Sequence, residues 1–80
     1  MEMVTVSTVC RASIGCQNDT EHLVESAGGF IEACYDCAES LDMFEDIIGD
    51  VRAGTVVVLD ERRWKHALDV REVLAVRFGR

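Results

Sequence analysis

The 80-residue sequence has no proline and no long hydrophobic run. Its longest aliphatic run covers only residues 56–59, whereas a membrane-spanning helix needs about 20 apolar residues. Residues 1–6 contain Glu2 and no basic residue, which does not fit the basic start of a secretory signal. We therefore expect a cytoplasmic protein that neither crosses the membrane nor binds it.

Cysteine is too scarce for a disulfide scaffold, since the chain has 4 among 80 residues and such scaffolds exceed about 8–10%. In a reducing compartment, grouped cysteines more often bind metal than form disulfides. The length allows a single domain, residues 1–80, and a chain this short buries a small core and often needs a metal or a partner. Its 49% hydrophobic content suits a globular fold.

The cysteines form two pairs whose spacing is typical of zinc sites. Five residues separate Cys10 from Cys16 and two separate Cys34 from Cys37, with residues 17–33 between the pairs. That spacer lies within the 15–20 residues expected between zinc-binding pairs, and Gly15 gives the longer first loop its backbone freedom. Four thiolates form a closed tetrahedral site, so we predict one zinc ion per chain.

Three alternatives to zinc remain open at this point. Iron also accepts four thiolates. The cysteines could instead be ordinary buried thiols, which behave as small hydrophobes. The last alternative is a dithiol redox pair at Cys34 and Cys37, although 80 residues leave little room for the frame of a thioredoxin-like protein.

The N-terminal half is predicted to hold a strand, a zinc knuckle, a β-hairpin and a helix. Residues 4–9 are largely β-branched and alternate, which indicates a strand. Residues 21–26 and 30–33 flank a glycine pair as the two strands of a hairpin. The helix is predicted to begin at the second cysteine pair and end between Gly49 and Gly54. Its apolar stripe has spacings of four, three, four and three residues and comprises Cys37, Leu41, Phe44, Ile48 and Val51.

The C-terminal part, residues 50–80, is predicted to be a strand followed by a helix. Residues 55–59 are apolar on both faces, which favours an interior strand. Asp60 is a suitable N-cap for a helix over residues 61–78. The apolar stripe of that helix comprises Trp64, Ala67, Leu68, Leu74, Ala75 and Phe78. The predicted fold class is therefore α+β, a single zinc-stapled mini-domain.

The order of knuckle, hairpin and helix over residues 10–48 resembles treble-clef and zinc-ribbon fingers. The motifs that carry the resemblance are Cys10-Arg11-Ala12-Ser13-Ile14-Gly15-Cys16 and Cys34-Tyr35-Asp36-Cys37 with the segment after it. The sequence is also similar to small four-cysteine proteins of actinobacteria and their phages. The resemblance implies zinc at the four cysteines and no single function, because such fingers serve nucleic acids, proteins and structure alike.

Charge is distributed unevenly along the chain. Residues 1–60 carry 12 acids and 2 bases, net −10, whereas residues 61–80 carry 3 acids and 6 bases, net +3. In the predicted first helix one row of acids comprises Glu39, Asp42, Asp46 and Asp50. Such a row is usually a solvated face, and it would otherwise orient a basic partner or the chain's own last helix.

Binding to nucleic acid is the alternative that the basic C-terminal helix raises. Its candidate contacts are Arg62, Arg63, Lys65 and Arg71, but they are interleaved with Asp69 and Glu72. The finger half would repel phosphate. Simple surface pairing explains these bases equally well.

Catalytic groupings are lacking. His22 could replace a thiolate at the zinc ion, but a place on the polar surface of the hairpin is expected, and His66 is also expected at the surface. Four cysteines on one ion leave no open coordination position for chemistry.

We therefore expect a non-catalytic zinc-binding protein that acts as a protein–protein interaction or regulatory module and has no small-molecule substrate. Residues 55–78 hold more apolar side chains than a very small core readily encloses. They either cover the finger or contact a partner, with self-association the simplest case. Trp64 is then a core residue or the anchor of that contact, because tryptophan is enriched among binding hot spots.

Overall fold

Among the described residues, six short strands and two short helices form an α+β fold, and β-branched residues are concentrated in residues 47–52 and 55–58. The computed structural model describes residues 5–27, 29–69 and 77–78. The helices are α1 (Tyr35–Ser40) and α2 (Glu61–Asp69), and a single 3-10 turn covers Phe44–Asp46. The strands are β1 (Thr5–Val6), β2 (His22–Ser26), β3 (Gly29–Ala33), β4 (Ile47–Arg52), β5 (Thr55–Val58) and β6 (Arg77–Phe78).

Four of these strands form one antiparallel sheet in the order β3-β2-β4-β5. The predicted hairpin is confirmed as β2 and β3, with Leu23 opposite Glu32. Strand β4 pairs with the other edge of β2, with Leu23 opposite Gly49. The predicted finger and its C-terminal extension therefore share one sheet. Strand β1 pairs in parallel with β6 as a separate two-stranded ladder.

The main core lies where α2 packs against the sheet. The side chains of Trp64, Ala67 and Leu68 are buried, as their spacing predicts, and the Trp64 ring stacks on Phe30 with 5.0 Å between centroids. Burial of such side chains stabilises a fold by about 1.5–3 kcal/mol each. The predicted N-cap is also confirmed, because Asp60 Oδ1 accepts the Arg63 N–H at 3.2 Å. Trp64 is 5% exposed, so it occupies the core and leaves little surface for a partner.

The prediction of a long first helix was wrong, because α1 ends at Ser40 and residues 47–52 form β4. Asp42 has φ 54°, and the Met43 N–H donates to the Ala38 carbonyl at 2.8 Å, which closes the helix as a Schellman motif. After α1, residues 47–52 pair with β2 and β5, and this pairing satisfies the hydrogen-bonding groups of their backbone. The segment includes Ile47 and Ile48. β-Branched residues favour that arrangement over a helix.

Two predictions about the C-terminal part were also wrong in detail. Strand β5 lies at an edge of the four-stranded sheet rather than inside it. Helix α2 ends at Asp69 and β6 includes Phe78, so the helix does not continue to that residue. Leu74 and Ala75 lie outside the described residues. In the part of the chain that is described, no helix is long and apolar enough to cross a bilayer.

Candidate metal centre

The first cysteine pair lies on a tight loop, residues 10–16, which we call the knuckle. The Cys10 N–H donates to the Asn18 carbonyl at 2.8 Å, and the Cys16 N–H donates to the Ser13 carbonyl at 3.2 Å. Gly15 has φ 82°, a conformation that glycine adopts without strain, and a Cβ there would contact nothing within 4 Å. Gly15 therefore has the conformational role predicted for it. Its positive φ lets the five residues between Cys10 and Cys16 form a tight loop.

The second cysteine pair lies at the start of α1. Cys34 is the N-cap, with extended backbone, and its Sγ accepts the Cys37 N–H at 3.4 Å. Strand β3 delivers Cys34 to the knuckle, because the Glu32 carbonyl accepts the Arg11 N–H at 2.8 Å. The helix start thus directs a backbone donor at sulfur, which favours the thiolate form.

The four sulfur atoms come together as a tetrahedral metal site requires. All four Sγ atoms lie within 4.8 Å of one another. The Sγ of Cys16 lies 3.9 Å from that of Cys34 and 3.7 Å from that of Cys37. Sulfurs bound to one zinc ion at about 2.3 Å are about 3.8 Å apart in an ideal tetrahedron. The predicted ligand set therefore fits a metal ion with four cysteine ligands, three of which are buried.

Two polar side chains that the sequence did not identify contact these sulfurs. Asn18 Nδ2 donates to Cys34 Sγ at 3.4 Å. The Cys37 thiol donates to Ser13 Oγ at 3.4 Å, and once that thiol is deprotonated the hydroxyl can donate in turn. Groups of this kind orient metal ligands and tune their basicity. Their position in the sequence was the usable signal, since Ser13 lies within the knuckle and Asn18 is the second residue after it.

The cysteine thiols differ in acidity. Burial raises the pKa of Cys34, but hydrogen bonds from the Asn18 side chain and from the Cys37 N–H together lower it by more, and the resulting pKa is about 7. The Ser13 contact lowers the pKa of Cys37, whereas the neighbouring Cys34 and burial raise it to about 12. The Cys34 thiol is therefore more acidic than the Cys37 thiol, and Cys37 would lose its proton on binding a metal ion.

The residues of the predicted acidic row do not share one helix. Glu39 lies on α1, Asp42 follows it, Asp46 ends the 3-10 turn and Asp50 lies on β4. The row was an artefact of the predicted long helix. Two of the four carboxylates contact cations of the chain itself, as Asp46 meets Arg63 at 3.0 Å and Asp50 meets Arg52 at 3.2 Å.

Arg63 is engaged within the fold rather than presented to phosphate. Its guanidinium contacts Glu25 at 2.9 Å and Asp46 at 3.0 Å, and it donates to the Glu45 carbonyl at 2.9 Å. The hydrogen bond to Glu25 raises the pKa of Arg63 further. Among the other predicted nucleic-acid contacts, Arg62 and Lys65 are exposed on α2, and Arg71 lies outside the described residues.

His22 is more enclosed than a hairpin surface residue would be, and it lies outside the sulfur cluster. Its side chain is 18% exposed, and Nδ1 is 2.7 Å from Asp50 Oδ1. The Tyr35 and Phe44 rings lie 6.3 and 6.4 Å from its ring. This aromatic group was not predicted, because β4 brings Asp50 to His22 only after the sheet forms.

Comparisons with known proteins leave the chain without a family. No protein-family model matches it, and neither a curated protein nor a solved structure gives a significant match. Function must therefore be argued from the site itself.

Proposed function

We propose that this protein is a small, non-catalytic zinc-binding protein of the cytoplasm that acts as a protein–protein interaction or regulatory module. The observation that carries the proposal is the cluster of four cysteine sulfurs within 4.8 Å of one another. Four thiolate ligands saturate a zinc ion, so the ion would hold the fold and offer no open position for Lewis-acid chemistry. In a domain of this size the free energy of metal binding is folding free energy.

The order of the elements around the cysteines supports a finger-like role. A knuckle, the hairpin of β2 and β3, and α1 with Cys34 as its N-cap follow the layout of treble-clef and zinc-ribbon fingers. That likeness rests on the layout and the cysteine positions alone. Proteins with such fingers serve several functions, so we infer the class of partner from the distribution of charge.

Charge favours a protein partner over nucleic acid. Residues 1–60 carry a net charge of −10, and Arg63 on the basic helix is engaged by two carboxylates. Binding to a phosphate backbone needs clustered lysines and arginines and weakens steeply with salt. We therefore expect the metal-loaded protein to leave a fluorescent DNA or RNA duplex unbound at low salt. Binding at low salt that high salt abolishes would establish the nucleic-acid alternative.

Metal analysis of protein purified without added zinc tests the metal part. We expect one zinc ion per chain, detected by elemental analysis and by native mass spectrometry. Iron would appear in the same analysis and would change the ion but not the ligand set. Fewer than about half an ion per chain, with folding unaffected by chelator, would refute the structural role of the metal.

A dithiol redox function is the second candidate, because Cys34 and Cys37 flank a helix start and hydrogen bonds lower the pKa of Cys34 to about 7. Alkylation of the native, metal-loaded protein separates the two functions. Ligands in a closed metal site label slowly, and labelling accelerates when the ion is removed. Rapid labelling of Cys34 with the metal retained would favour the redox function.

A further inference from the structure

A concave, acidic surface lies directly beside the cysteine cluster. A groove of about 470 Å³ is lined by Asn18, Asp19, Glu21, Cys34, Tyr35 and Asp36. A second groove of about 340 Å³ shares Glu21 and Tyr35 with it. The two grooves therefore form one continuous surface with Tyr35 between them, and we call the larger one the acidic groove.

The acidic groove carries carboxylates that the fold does not neutralise. Its lining includes three acids, Asp19, Glu21 and Asp36, and no base. Within the described residues none of the three forms an ion pair, whereas Glu25, Asp46 and Asp50 all do. Four thiolates around a divalent ion would add further negative charge at Cys34. The groove is therefore complementary to a cation and repels phosphate.

An exposed aromatic ring stands beside these carboxylates. The Tyr35 side chain is 49% exposed, and its ring centroid lies 5.4 Å from that of Phe44. His22 contacts both rings, and Asp50 fixes the orientation of His22 at 2.7 Å. The Glu21 carboxylate also accepts the Tyr35 N–H at 2.6 Å. The ring is thus held in place, so binding against it loses little conformational entropy.

We infer that the acidic groove binds an arginine or lysine side chain from a peptide segment of a partner protein. The cationic group lies among Asp19, Glu21 and Asp36, and the aliphatic stem packs on the Tyr35 ring. Carboxylates bind guanidinium and ammonium groups through charge-assisted hydrogen bonds, and an aromatic face attracts the same groups. This inference rests on the proposed function, for which it names the surface and the chemistry of the partner.

A pair of peptides that differ only in charge tests the inference. The first is a short, capped peptide with several arginines among leucine and serine, and the second has citrulline at each arginine. We expect the metal-loaded protein to bind the arginine peptide with a Kd below about 1 mM in low salt. Citrulline should weaken binding by about tenfold or more, because it keeps the shape and removes the charge. Amide chemical shifts should change mainly at Asn18, Asp19, Tyr35 and Asp36.

Matched variants locate the binding surface. Asp36→Asn should weaken binding by up to about fivefold, whereas Glu39→Gln removes one charge from the same helix outside the groove and should leave affinity unchanged. Tyr35→Ala should weaken binding by about tenfold, and Tyr35→Phe should retain it because the aromatic face remains. Both Tyr35 variants keep the hydrogen bond to Glu21, because it is donated by the backbone N–H of Tyr35. Amide shifts that are unchanged away from position 35 and its ring neighbours will show that these variants fold.

The outcomes separate this inference from the proposed function. Equal loss of affinity in Asp36→Asn and Glu39→Gln would reveal general charge attraction and overturn the groove as the site. Binding of the citrulline peptide with equal affinity, or shifts that map to another surface, would overturn the inference and leave a protein-binding function standing. Failure to bind the arginine peptide while a nucleic-acid duplex binds would overturn both.

Discussion

The two ends of this small domain are held together by different means. The metal end buries Cys10, Cys34 and Cys37, with Ala12 and Cys16 packed against them, and among the described residues this cluster buries no large apolar side chain. The opposite end buries an aromatic and aliphatic core, whose members are Val6, Leu23, Phe30, Ile48, Trp64, Ala67 and Leu68. Apolar burial therefore accounts for one end, and the other needs a different source of free energy.

The difference shows what the metal is required to do. Ordering a residue's backbone costs roughly 1–2 kcal/mol, and small side chains recover little of that by burial. Under the proposed function, sulfur–metal bonds would supply the difference at the metal end. The two ends are also linked, because the buried Glu32 carboxylate accepts the Ser7 N–H at 2.6 Å and the Glu32 carbonyl accepts the Arg11 N–H. We therefore expect them to unfold together.

Metal removal should have the largest effect, because structural zinc contributes about 10–16 kcal/mol in comparable peptides. Chelation should unfold the whole domain, including the core far from the ion. The single tryptophan, Trp64, reports on this, since it is 5% exposed and its emission should shift to the red. Added zinc should restore the emission of the natural sequence but not that of Cys37→Ser. An unshifted emission after complete chelation would show that the two ends fold independently.

Substitution of the core should have the next largest effect. Trp64→Ala removes the ring that stacks on Phe30 and should lower the free energy of unfolding by about 3–5 kcal/mol. The matched control is Leu59→Ala, because Leu59 is 53% exposed and should change stability by about 0.5 kcal/mol or less. Urea denaturation of the zinc-saturated proteins, followed by circular dichroism, measures both. Similar losses in the two variants would contradict the assignment of Trp64 to the core.

Loss of the Asn18 side chain should weaken metal binding more than it affects the core. Asn18→Ala removes the hydrogen bond to Cys34 Sγ, and such contacts change metal affinity by about 10–100-fold. Competition with a chromogenic chelator should show a loss of about tenfold, with Gln17→Ala as the control in the same turn. Equal affinities in the two variants would refute this role.

The metal end was largely predictable from the sequence, and the opposite end was less so. The cysteine spacing, Gly15 and the hairpin are local features, so the ligand set could be inferred without tertiary information. Strand β4 could not be inferred in this way, because Phe44, Ile48 and Val51 have helical spacing. Only pairing with β2 and β5 makes this segment extended. Gly49 was interpreted as a helix end, whereas a Cβ there would approach the Val57 carbonyl oxygen at 3.1 Å.

The hairpin of β4 and β5 was missed because its turn lacks the usual sequence signal. Arg52 is opposite Thr55, so the turn has two residues, and both have positive φ, 51° at Ala53 and 76° at Gly54. Two positive φ values are typical of a type I′ turn, for which Asn-Gly is the favoured pair. Ala-Gly satisfies the second position and strains the first.

This strain gives the smallest expected effect and the only predicted gain in stability. Ala53→Asn should raise the free energy of unfolding by about 1 kcal/mol, because asparagine adopts the left-handed conformation more readily than alanine. Gly54→Ala provides the contrast and should lower it by a similar amount, since a Cβ there meets no atom within 4 Å and only the backbone is strained. Urea denaturation of the zinc-saturated proteins, followed by Trp64 fluorescence, measures both. Because no hydrogen bond among the described residues joins Ala53 or Gly54 to a cysteine, zinc affinity should be the same in both variants. A change in zinc affinity would show that the sheet transmits strain to the metal end.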